Sequence, residues 1–546
     1  MKGVSGREWY LLSDQIKPEE DLVRRFGYFL AQLLVNRGFE DPRSAFDLKL
    51  KYLIPYTFLP NLGEGAQRIV EAVKKRKRIL IFGDYDVDGI TGSAILYEVL
   101  RRAGARVVSV LPNRGTGYGL NDYLISLFSR YADLLITVDN GTSAVREIDG
   151  SGIEVVVIDH HNVPERTPER AVLVNPKLKE SVPKDLQEIS SSAMCFYMAL
   201  VVSRQLGLDI DVRNFLDLVA LGTVGDVMPM NRTNRILVSK GIAVLEGVLR
   251  GTLSKPGVRA LLKISGIRNG VSSRDIAYSI APRLNAPGRV GNPKISLHLL
   301  LEDRAERAEL LARKVEILNS RRRAITDLVY REARERAREQ KNRSFVSLWN
   351  PGWHVGVLGI VAGRLSAQLG KPVAVFAEGK EQSVGSVRSV EGIDVYEGLR
   401  QLSHLFLKWG GHSQAAGVTL SSGLLEEFSR RAEDIFEHVP RKPPPLYVDM
   451  EFPPTALSPQ ILSQIDRLEP YGEGNPPPTF LSPEENLQLT ELRFGRGRVR
   501  VGNVEMVCWE RDVIERLKSG LRARVVYTVS GGRLSLIDVE DRDGAR

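Results

Sequence analysis

The chain has 546 residues, of which 43% are hydrophobic and 26% are charged, and its formal net charge is +9. This length exceeds what one hydrophobic core can organise, so we expect three or more domains. No stretch approaches the roughly 18 apolar residues of a membrane helix, and residues 1–9 lack the apolar core of a secretory signal. Because Cys195 and Cys508 form neither a disulfide framework nor a ligand spacing, we expect a cytoplasmic protein with no membrane partner.

The first 175 residues predict a small amino-terminal extension and then an alternation of helices and strands. The extension, residues 1–45, contains one amphipathic helix around Leu22–Arg37. After it the pattern predicts, in chain order, helix Ala66–Lys77, strand Ile79–Phe82, helix Thr91–Ala103, strand Arg106–Leu111, helix Asp122–Arg130, strand Leu134–Val138 and strand Glu154–Ile158. This alternation is typical of an α/β fold with a doubly wound parallel sheet.

The remainder predicts a helical region, a second α/β unit and a small β-barrel. Residues 190–340 are mostly helical and end in a long charged helix, Glu302–Lys341, which either bridges two domains or lies solvated in a bundle. Strand Phe345–Leu348, helix Val357–Leu369 and strand Val373–Phe376 indicate the second unit, followed by a glycine-rich loop at Gly410–Gly417. The prolines of Pro440–Pro445 mark a linker, and short strands beyond residue 487 indicate the barrel. The predicted domains are 1–45, 46–300, 301–342 (the connecting helix), 343–440 and 441–546.

Three of the predicted buried strands end on acidic residues, and the third also ends on two histidines. These strand ends carry Asp84, Asp86 and Asp88; Asp139; and Asp159, His160 and His161, and a further acid, Asp226, follows an apolar helix. In an open α/β sheet, ligands bind beyond the carboxyl ends of the strands, so we expect these side chains to converge. Crowded carboxylates repel one another unless a cation lies between them. The sequence therefore predicts a metal centre at this edge.

The ligand types favour Mn²⁺ or Mg²⁺ over structural zinc, because the set offers oxygen and imidazole but no thiolate. Two such ions can activate one water for attack on a phosphorus atom. Each residue also has an ordinary interpretation. A single strand-end aspartate usually caps a helix or a turn, and adjacent histidines are more often surface residues. Asp159 could be a ligand or could instead orient His160 or His161.

Several segments resemble a known family. Asp84–Gly89, Asp139-Asn140-Gly141, Asp159-His160-His161 and Gly225-Asp226 resemble the four motifs of the DHH phosphoesterases, and Gly410–Gly417 resembles the signature of the DHH-associated domain. Within that superfamily the chain is similar to the RecJ family of single-strand-specific 5′-to-3′ exonucleases. The further segments that carry this resemblance are Pro112–Leu120, Ala281–Arg289, Trp353–Arg364 and Leu468–Pro476.

The resemblance implies a two-metal centre with Mn²⁺ or Mg²⁺ as cofactor. By position it implies the ligands Asp86, Asp88, Asp139, His160 and Asp226, with Asp84 either a further ligand or a residue that orients one. It also implies catalytic roles for Asp84, for Asp159 and for His161, the last close to the scissile phosphate. Relatives sometimes carry a histidine ligand two residues before Asp84; this chain has Phe82 there, so we expect one ion to bind more weakly.

The resemblance also implies residues that contact DNA. Arg114, Ser386 and Arg388 would form a pocket for the 5′-phosphate, although Arg388 could equally be a surface cation. Tyr118 and Trp353 would stack on bases, or would be core aromatics. Backbone amides of the glycine-rich loop, with His412, would contact phosphate. The full set of candidate DNA-binding residues is Arg114, Tyr118, Arg283, Arg289, Trp353, His354, Ser386, Arg388, Gly411 and His412.

The expected function is a single-stranded-DNA-specific 5′-to-3′ exonuclease that releases 5′-mononucleotides in DNA repair and recombination. Expected partners are single-stranded DNA and, among proteins, a single-strand-binding protein or a recombination helicase. One alternative is a DHH-family phosphodiesterase for nano-RNA or cyclic dinucleotides, against which the barrel and Leu468–Pro476 argue. A second is a non-catalytic single-strand-binding protein on the same fold, against which the retained acids argue.

Overall fold

The computed structural model describes residues 1–39, 44–112, 119–438, 444–493 and 496–541. The chain divides into two compact units. The first unit comprises Pro18–Asn319 together with Pro459–Pro477, and the second comprises Met1–Lys17, Ser320–Ser458 and Pro478–Arg546. None of the helices in these described ranges combines the length and apolar character that crossing a membrane requires.

The first unit opens with the alternation that the sequence predicts. The chain begins with β1 (Trp9–Leu11) and α1 (Leu12–Gln15) of the second unit and then enters the first. There it forms α2 (Glu20–Asn36), α3 (Leu62–Lys74), β2 (Arg78–Gly83), α4 (Val87–Arg102), β3 (Arg106–Val110), α5 (Asp122–Tyr131), β4 (Leu134–Val138), α6 (Val145–Asp149), β5 (Glu154–Ile158) and β6 (Ala171–Val174).

The strands of this unit form a parallel sheet with the order β3-β2-β4-β5-β6. All residues of β4 are buried, as are most of β2 and β5, because helices cover both faces of the sheet. β2 lies between β3 and β4, so the chain leaves it first toward one edge and later returns to its other side. Such a reversal opens a crevice at the carboxyl ends of the two strands. The doubly wound α/β sheet expected from the sequence is confirmed.

Helices complete the first unit. They are α7 (Lys184–Gln187), α8 (Ser191–Gln205), α9 (Leu216–Gly225), α10 (Arg232–Arg250), α11 (Pro256–Ile264), α12 (Ser273–Asp275), α13 (Ala281–Val290) and α14 (Lys294–Leu301). Nearly every residue of α8 and α9 is buried, and both helices pack against α4. A helix that is apolar on all sides is a core helix. α4, which follows the first strand-end acids, is therefore fixed by buried neighbours.

The long charged helix predicted from the sequence is α15 (Ala305–Glu339). Its Ala308, Ala312 and Val315 belong to the hydrophobic core of the first unit. Its Val329, Ala333 and Ala337 belong to a core of the second unit. One helix thus contributes residues to a core of each unit.

The second unit contains a mixed sheet with the order β10-β11-β9-β8-β7, in which β7 and β8 are parallel and the other pairs are antiparallel. Its elements are β7 (Val346–Asn350), α16 (Leu358–Leu369), β8 (Val373–Ala377), β9 (Gln382–Arg388), α17 (Val395–Arg400), β10 (Phe406–His412), β11 (Ala415–Ser421) and α18 (Leu425–Phe436).

The glycine-rich segment is not a loop, which corrects the expectation from the sequence. Gly410, Gly411 and His412 end β10, and the next strand begins at Ala415, with Gly410 opposite Gly417. The reason is steric. A Cβ on Gly411 would lie 2.2 Å from the carbonyl oxygen of Ala415, so the small residues permit close pairing of the strands.

The carboxyl-terminal strands form a curled sheet with the order β13-β14-β19-β20-β17-β16-β15-β18, which confirms the predicted OB-like barrel. The elements in this part of the chain are β12 (Leu446–Val448), β13 (Met450–Glu451), α19 (Pro459–Asp466), β14 (Thr479–Leu481), β15 (Glu485–Arg493), β16 (Arg496–Val501), β17 (Val504–Cys508), α20 (Arg511–Arg516), β18 (Leu521–Ala523), β19 (Val525–Ser530) and β20 (Arg533–Val539). Of these, α19 belongs to the first unit, and β12 lies outside the curled sheet.

The amino-terminal residues join this barrel. β1 pairs with β12, and the Trp9 indole Nε1 donates a hydrogen bond to Asp538 Oδ2 at 3.0 Å. Residues 1–17 therefore group with the barrel, while 18–45 group with the parallel sheet. The domain boundaries drawn from the sequence stay a prediction.

Candidate metal centre

Three aspartates form one row at the carboxyl edge of the parallel sheet. The backbone N–H of Asp84 donates to Val138 O at 3.0 Å, that of Asp139 to Ile158 O at 2.9 Å, and that of Asp159 to Val174 O at 3.1 Å. Each aspartate thus adds one more interstrand backbone hydrogen bond beyond the end of its strand. This register brings together side chains that lie 75 residues apart in the chain, counting from Asp84 to Asp159.

The segment from Asp84 to Asp88 turns from strand into helix. Asp86 is the N-cap of α4, where its Oδ1 accepts from the backbone N–H of Asp88 at 3.0 Å and of Gly89 at 3.2 Å. A Cβ on Gly89 would lie 2.6 Å from the backbone N of Asp84, so the turn needs glycine there. The capping role that is usual for a strand-end aspartate therefore coexists with placement in the metal cluster.

Asp139 and His160 are the centre of that cluster. Asp139 has a φ of +65°, a left-handed conformation that non-glycine residues rarely adopt outside functional sites. His160 Nε2 lies 3.3 Å from Asp139 Oδ1 and 3.4 Å from Asp226 Oδ2. Asp226 reaches this point from the carboxyl end of α9. Side chains from three separate parts of the chain thus meet.

Three overlapping groups of potential ligand atoms result, each with all of its atoms within 4.8 Å of one another. They are Asp84, Asp86 and Asp139; Asp139, His160 and His161; and Asp88, His160 and Asp226. Asp139 belongs to two of the groups, as a residue that bridges two ions would. The structure therefore brings together all of the residues that the sequence predicted as metal ligands.

Asp159 contacts His161. Its Oδ1 lies 2.7 Å from His161 Nδ1, and its Oδ2 accepts from the backbone N–H of Thr142 at 3.0 Å. Burial alone would favour a neutral imidazole, but the hydrogen bond and charge of Asp159 outweigh it and raise the pKa of His161 to about 9. Of the alternatives left open by the sequence, this contact favours Asp159 as the residue that orients His161.

The electrostatics of the cluster fit a divalent cation. Burial and the neighbouring charge of Asp86 raise the pKa of Asp88 to about 6. Burial and the surrounding carboxylates also raise the pKa values of Asp139 and Asp226 well above the ordinary aspartate value. A cation among these oxygens would remove the repulsion. The donor set of carboxylates and imidazole suits Mn²⁺ or Mg²⁺.

Asp88 has a further task. It is fully buried, and its two oxygens accept from the backbone N–H groups of Ser191, at 2.6 Å, and Ser192, at 3.0 Å. These bonds anchor the start of α8, whose positive end favours a carboxylate. The Ser191 hydroxyl in turn donates to Asp139 Oδ1 at 3.0 Å. Asp88 thus positions Ser191, which contacts Asp139, and also lies with His160 and Asp226 in one of the three groups.

Sequence reasoning missed Ser191, Ser192, Thr142 and Asn175. Asn175 is fully buried, and its Nδ2 donates to Thr142 Oγ1 at 3.1 Å and to His161 O at 2.9 Å. Two signals were present in the sequence. A serine run, Ser190–Ser192, caps and opens the apolar helix α8, and Asn175 follows strand β6 as the aspartates follow their strands.

Phe82, at the position where relatives sometimes have a histidine, is fully buried and packs on Phe128 with ring centroids 5.3 Å apart. The expectation that one ion binds more weakly stays a prediction.

The DNA-binding candidates of the first unit are only partly open to a ligand. Arg283 donates from Nε to Glu316 Oε2 at 2.6 Å and from Nη1 to Ser279 O at 2.7 Å. Arg289 is half-buried on α13. Arg114 and Tyr118 lie outside the described residues.

Ser386 and Arg388 share one face of β9, as the alternation predicted. Arg388 Nη1 donates to Ser386 Oγ at 3.0 Å. A Cβ on Gly359 would lie 2.9 Å from Arg388 Nη2 and 3.2 Å from Ser386 Oγ. Both side chains therefore lie over the first turn of α16, where the helix presents its positive end.

The remaining candidates differ in exposure. Trp353 is 4% exposed, and its Nε1 donates to Glu332 Oε2 at 2.9 Å while the Arg336 guanidinium lies 5.4 Å from the ring centroid. This position fits the core-aromatic alternative. His354 is exposed and accepts at Nδ1 from Gly356 N at 3.0 Å; Gly411 and His412 are exposed at the end of β10.

Comparison with known proteins places this site in a family. Residues 78–223 match the DHH family N-terminal domain, 342–438 the DHHA1 domain and 448–530 the RecJ OB domain. The single-stranded-DNA-specific exonuclease RecJ of Dickeya dadantii is 31% identical over 545 residues, covering 92% of this chain and 93% of that protein. This chain belongs to the RecJ family.

Two further RecJ comparisons agree. The RecJ of Thermus thermophilus is 35% identical over 471 residues, covering 84% of this chain and 67% of that protein. The crystal structure of Thermus thermophilus RecJ in complex with Mn²⁺ aligns with a TM-score of 0.82 at 30% identity, covering 98% of this chain and 79% of that one. A second structure of that RecJ is in complex with Mg²⁺. These are the ions that the donor set predicts.

Proposed function

We propose that this RecJ-family chain is a metal-dependent exonuclease specific for single-stranded DNA, which works from the 5′ end and releases 5′-mononucleotides. The observation that carries the proposal is the meeting of Asp139, His160 and Asp226 beside Asp84 and Asp86 at the carboxyl edge of the sheet. Such a centre at the reversal point of a doubly wound sheet is suited to phosphoester hydrolysis.

The roles of the residues follow from their contacts. Asp84, Asp86 and Asp139 would hold one ion, and Asp88, His160 and Asp226 the other, with Asp139 close enough to His160 to contact both. When bound, the ions supply the positive charge that lowers the pKa of the attacking water and offsets charge on the phosphate and the leaving 3′ oxygen. Because Asp159 occupies Nδ1 of His161 and keeps the ring protonated at neutral pH, Nε2 can donate a hydrogen bond to a phosphate oxygen.

A pocket for the terminal phosphate is supported by Ser386 and Arg388. Their hydroxyl and guanidinium groups lie over the first turn of α16, within 2.9 to 3.2 Å of where a Cβ on Gly359 would be. A terminal phosphate carries more charge than an internal one, so a guanidinium beside a helix amino end discriminates in its favour. By resemblance, Arg114 is a further candidate for contact with the terminal phosphate.

Binding of the strand away from the cut is supported by the barrel, since OB folds hold single strands by backbone contacts and base stacking. We propose further phosphate contacts by Arg283, Arg289, His354, Gly411 and His412, and base contacts by Tyr118. Trp353, which is buried, is instead a core aromatic. The net charge of +9 suits a polyanionic substrate, and binding should weaken as salt rises.

The alternative functions are not favoured. A phosphodiesterase for dinucleotides does not need the carboxyl-terminal barrel, whereas residues 448–530 match the RecJ OB domain. A non-catalytic relative would have no reason to keep the acids, yet the acids of the cluster are all present.

The test is digestion of a long single-stranded oligonucleotide labelled at either end, with and without Mn²⁺. We expect the 5′ label to appear first in mononucleotide, only with Mn²⁺, and expect no digestion by Asp139→Ala. Release of the 3′ label first, or equal cutting of duplex DNA, would contradict the proposal.

We also propose the setting in which the enzyme acts. Because it needs a single-stranded end, a reaction that unwinds duplex must supply its substrate, so a recombination helicase or a single-strand-binding protein is the expected partner. Cys195 and Cys508 are both free thiols, which suits the reducing cytoplasm. Co-purification of the tagged chain with such a protein after nuclease treatment tests the partnership; recovery only when DNA is intact would contradict it.

A further inference from the structure

The turn that carries Asp226 is strained. Asp226 directly follows α9, and its backbone N–H donates to Gly222 O at 2.9 Å. The next residue, Val227, has a φ of +57°, and Met228 N closes the turn onto Thr223 O at 3.1 Å. Glycine normally occupies this left-handed position at a helix end, and a β-branched residue there is a genuine outlier. Because the Val227 side chain is 67% exposed, its own packing does not supply the support.

The segment Leu468–Pro476 contacts this turn from a distant part of the sequence. Met230 N donates to Glu473 O at 2.6 Å, only four residues after Asp226. A Cβ on Gly472 would lie 2.9 Å from Met230 Cγ, so these two segments of the chain are in close contact. Gly474, with a φ of +72°, lies beside Pro229. The residues after Asp226 are therefore held by a row of contacts with 472–474.

The segment is itself internally bonded. Asn475 is 2% exposed, and its Nδ2 donates to Leu468 O at 3.0 Å and to Pro470 O at 2.9 Å. Gly472 and Asn475 exchange both backbone hydrogen bonds, at 3.0 and 3.2 Å. The Tyr471 hydroxyl donates to Ile465 O at 2.5 Å. A loop bonded in this way keeps its shape and can brace its neighbour.

Two arginines of the first unit anchor the segment. Arg235, which is 1% exposed, donates from Nη2 to Leu468 O at 3.2 Å and to Ala45 O at 2.9 Å. Arg37 donates from Nη2 to Pro476 O at 3.1 Å. The segment belongs to the first unit, although Ser458 and Pro478 on either side of Pro459–Pro477 belong to the second.

We propose that Leu468–Pro476 is a positioning element of the metal centre: it holds the strained Val227 turn so that the Asp226 carboxylate stays beside His160. The inference rests on the proposed function, in which Asp226 is a metal ligand. Groups that orient a ligand commonly change metal affinity by about 10- to 100-fold when they are altered. The carboxyl-terminal third of the chain thus contributes to metal binding without supplying a ligand.

The test is direct calorimetric titration of the full chain with Mn²⁺. In Gly472→Ala the new methyl displaces Met230, and we expect Mn²⁺ binding about 10-fold weaker and a smaller Mn²⁺-induced rise in Tm. The matched control is Gly247→Ala, whose methyl would lie 2.9 Å from Leu253 Cδ1 toward the carboxyl end of α10 in the same unit, 17 residues after Met230. We expect the control to change the metal-free Tm but not the affinity.

Two more variants make the result specific. Val227→Gly removes the strain, so adding it to Gly472→Ala should restore most of the affinity. Asn475→Ala loosens the segment without a steric clash and should weaken Mn²⁺ binding even if Gly472→Ala does not fold. Wild-type affinity in Asn475→Ala, or equal losses of Mn²⁺ affinity in Gly472→Ala and Gly247→Ala, would overturn this inference and leave the proposed function standing. A wild-type chain that binds no Mn²⁺ would overturn the proposed function as well.

Discussion

Asp159 Oδ1 and His161 Nδ1 lie 2.7 Å apart, so the carboxylate that closes strand β5 faces the second histidine of the pair. The first histidine, His160, instead places its Nε2 3.3 Å from Asp139 Oδ1. Adjacent imidazoles thus have different environments, one among potential ligands and one bound to a carboxylate. We infer that they have different tasks, His160 in metal binding and His161 in contact with phosphate.

The first prediction is that Asp159→Asn lowers the pKa of His161. In the metal-free wild type an NMR titration of the His161 ring should have its midpoint near 9, and in the variant it should move toward the ordinary histidine value. Asn keeps the shape of the side chain but removes its charge. Identical midpoints in both proteins would contradict the assignment.

The same pair makes stability depend on pH. The pKa of His161 is higher in the folded protein, about 9, than in the unfolded chain, about 6.5. Protonation of His161 therefore stabilises the fold fully at pH values below 6.5, and this stabilisation is lost as the pH rises toward 9. Because the His161 side chain is 38% exposed, solvent screening limits the effect, and we expect Asp159→Asn to cost about 1–2 kcal/mol below the unfolded pKa. The cost should shrink above pH 9; a cost that is constant with pH would argue against an ion pair.

The second prediction is that Asp139→Asn stabilises the metal-free protein while it abolishes metal binding. Burial and the surrounding carboxylates raise the pKa of Asp139, so its ionised form destabilises the fold at neutral pH. We expect a gain of about 1 kcal/mol or more in the free energy of unfolding, seen as a higher Tm after chelation. The rise in Tm on adding Mn²⁺ should disappear, together with nuclease activity. A lower metal-free Tm would show that Asp139 is structural.

The third prediction concerns the end of the DNA strand. Arg388→Ala should slow digestion of 5′-phosphorylated strands about 10- to 100-fold, the value of a charged hydrogen bond, and should slow 5′-hydroxyl strands much less. Arg400→Ala, which removes a guanidinium from the surface of α17, is the matched control and should change neither rate. Equal slowing of both substrates would remove Arg388 from the pocket.

The fourth prediction separates packing from DNA contact at Trp353. Trp353→Phe removes the hydrogen bond to Glu332 and part of a buried ring, so we expect a loss of about 1–2 kcal/mol in stability. Digestion rates at a temperature well below Tm should be unchanged. A fall in single-strand affinity without a change in Tm would instead support base stacking.

The strand ends could be predicted from the sequence because parallel strands share one carboxyl edge. Buried strands are recognisable as apolar runs, and the residues that follow them must lie close together; Asp84, Asp139 and His160 needed no further information. The sequence could not show whether Asp159 is a metal ligand or orients a histidine, since both roles place it at the same strand end. Only the observed rotation of the side chain toward His161 separates them.

Contacts without a periodic pattern also escaped prediction. The hydrogen bond from Met230 to Glu473 joins residues 243 positions apart, and neither segment has a periodic sequence pattern from which the contact could be predicted. The glycines at 410 and 411 indicated a loop, yet the absence of side chains there serves close pairing between strands. The residue types of a segment limit which backbone conformations it can adopt. Contacts with the rest of the fold determine which of those conformations it has.

The most direct test of the metal centre is anomalous diffraction from crystals of the chain grown with Mn²⁺. We expect two neighbouring peaks of anomalous density. One should lie within coordination distance of Asp84, Asp86 and Asp139, and the other within coordination distance of Asp139, His160 and Asp226. If the crystals show fully occupied Mn²⁺ at other sites but no peak within coordination distance of Asp139 and His160, the proposed metal centre is contradicted.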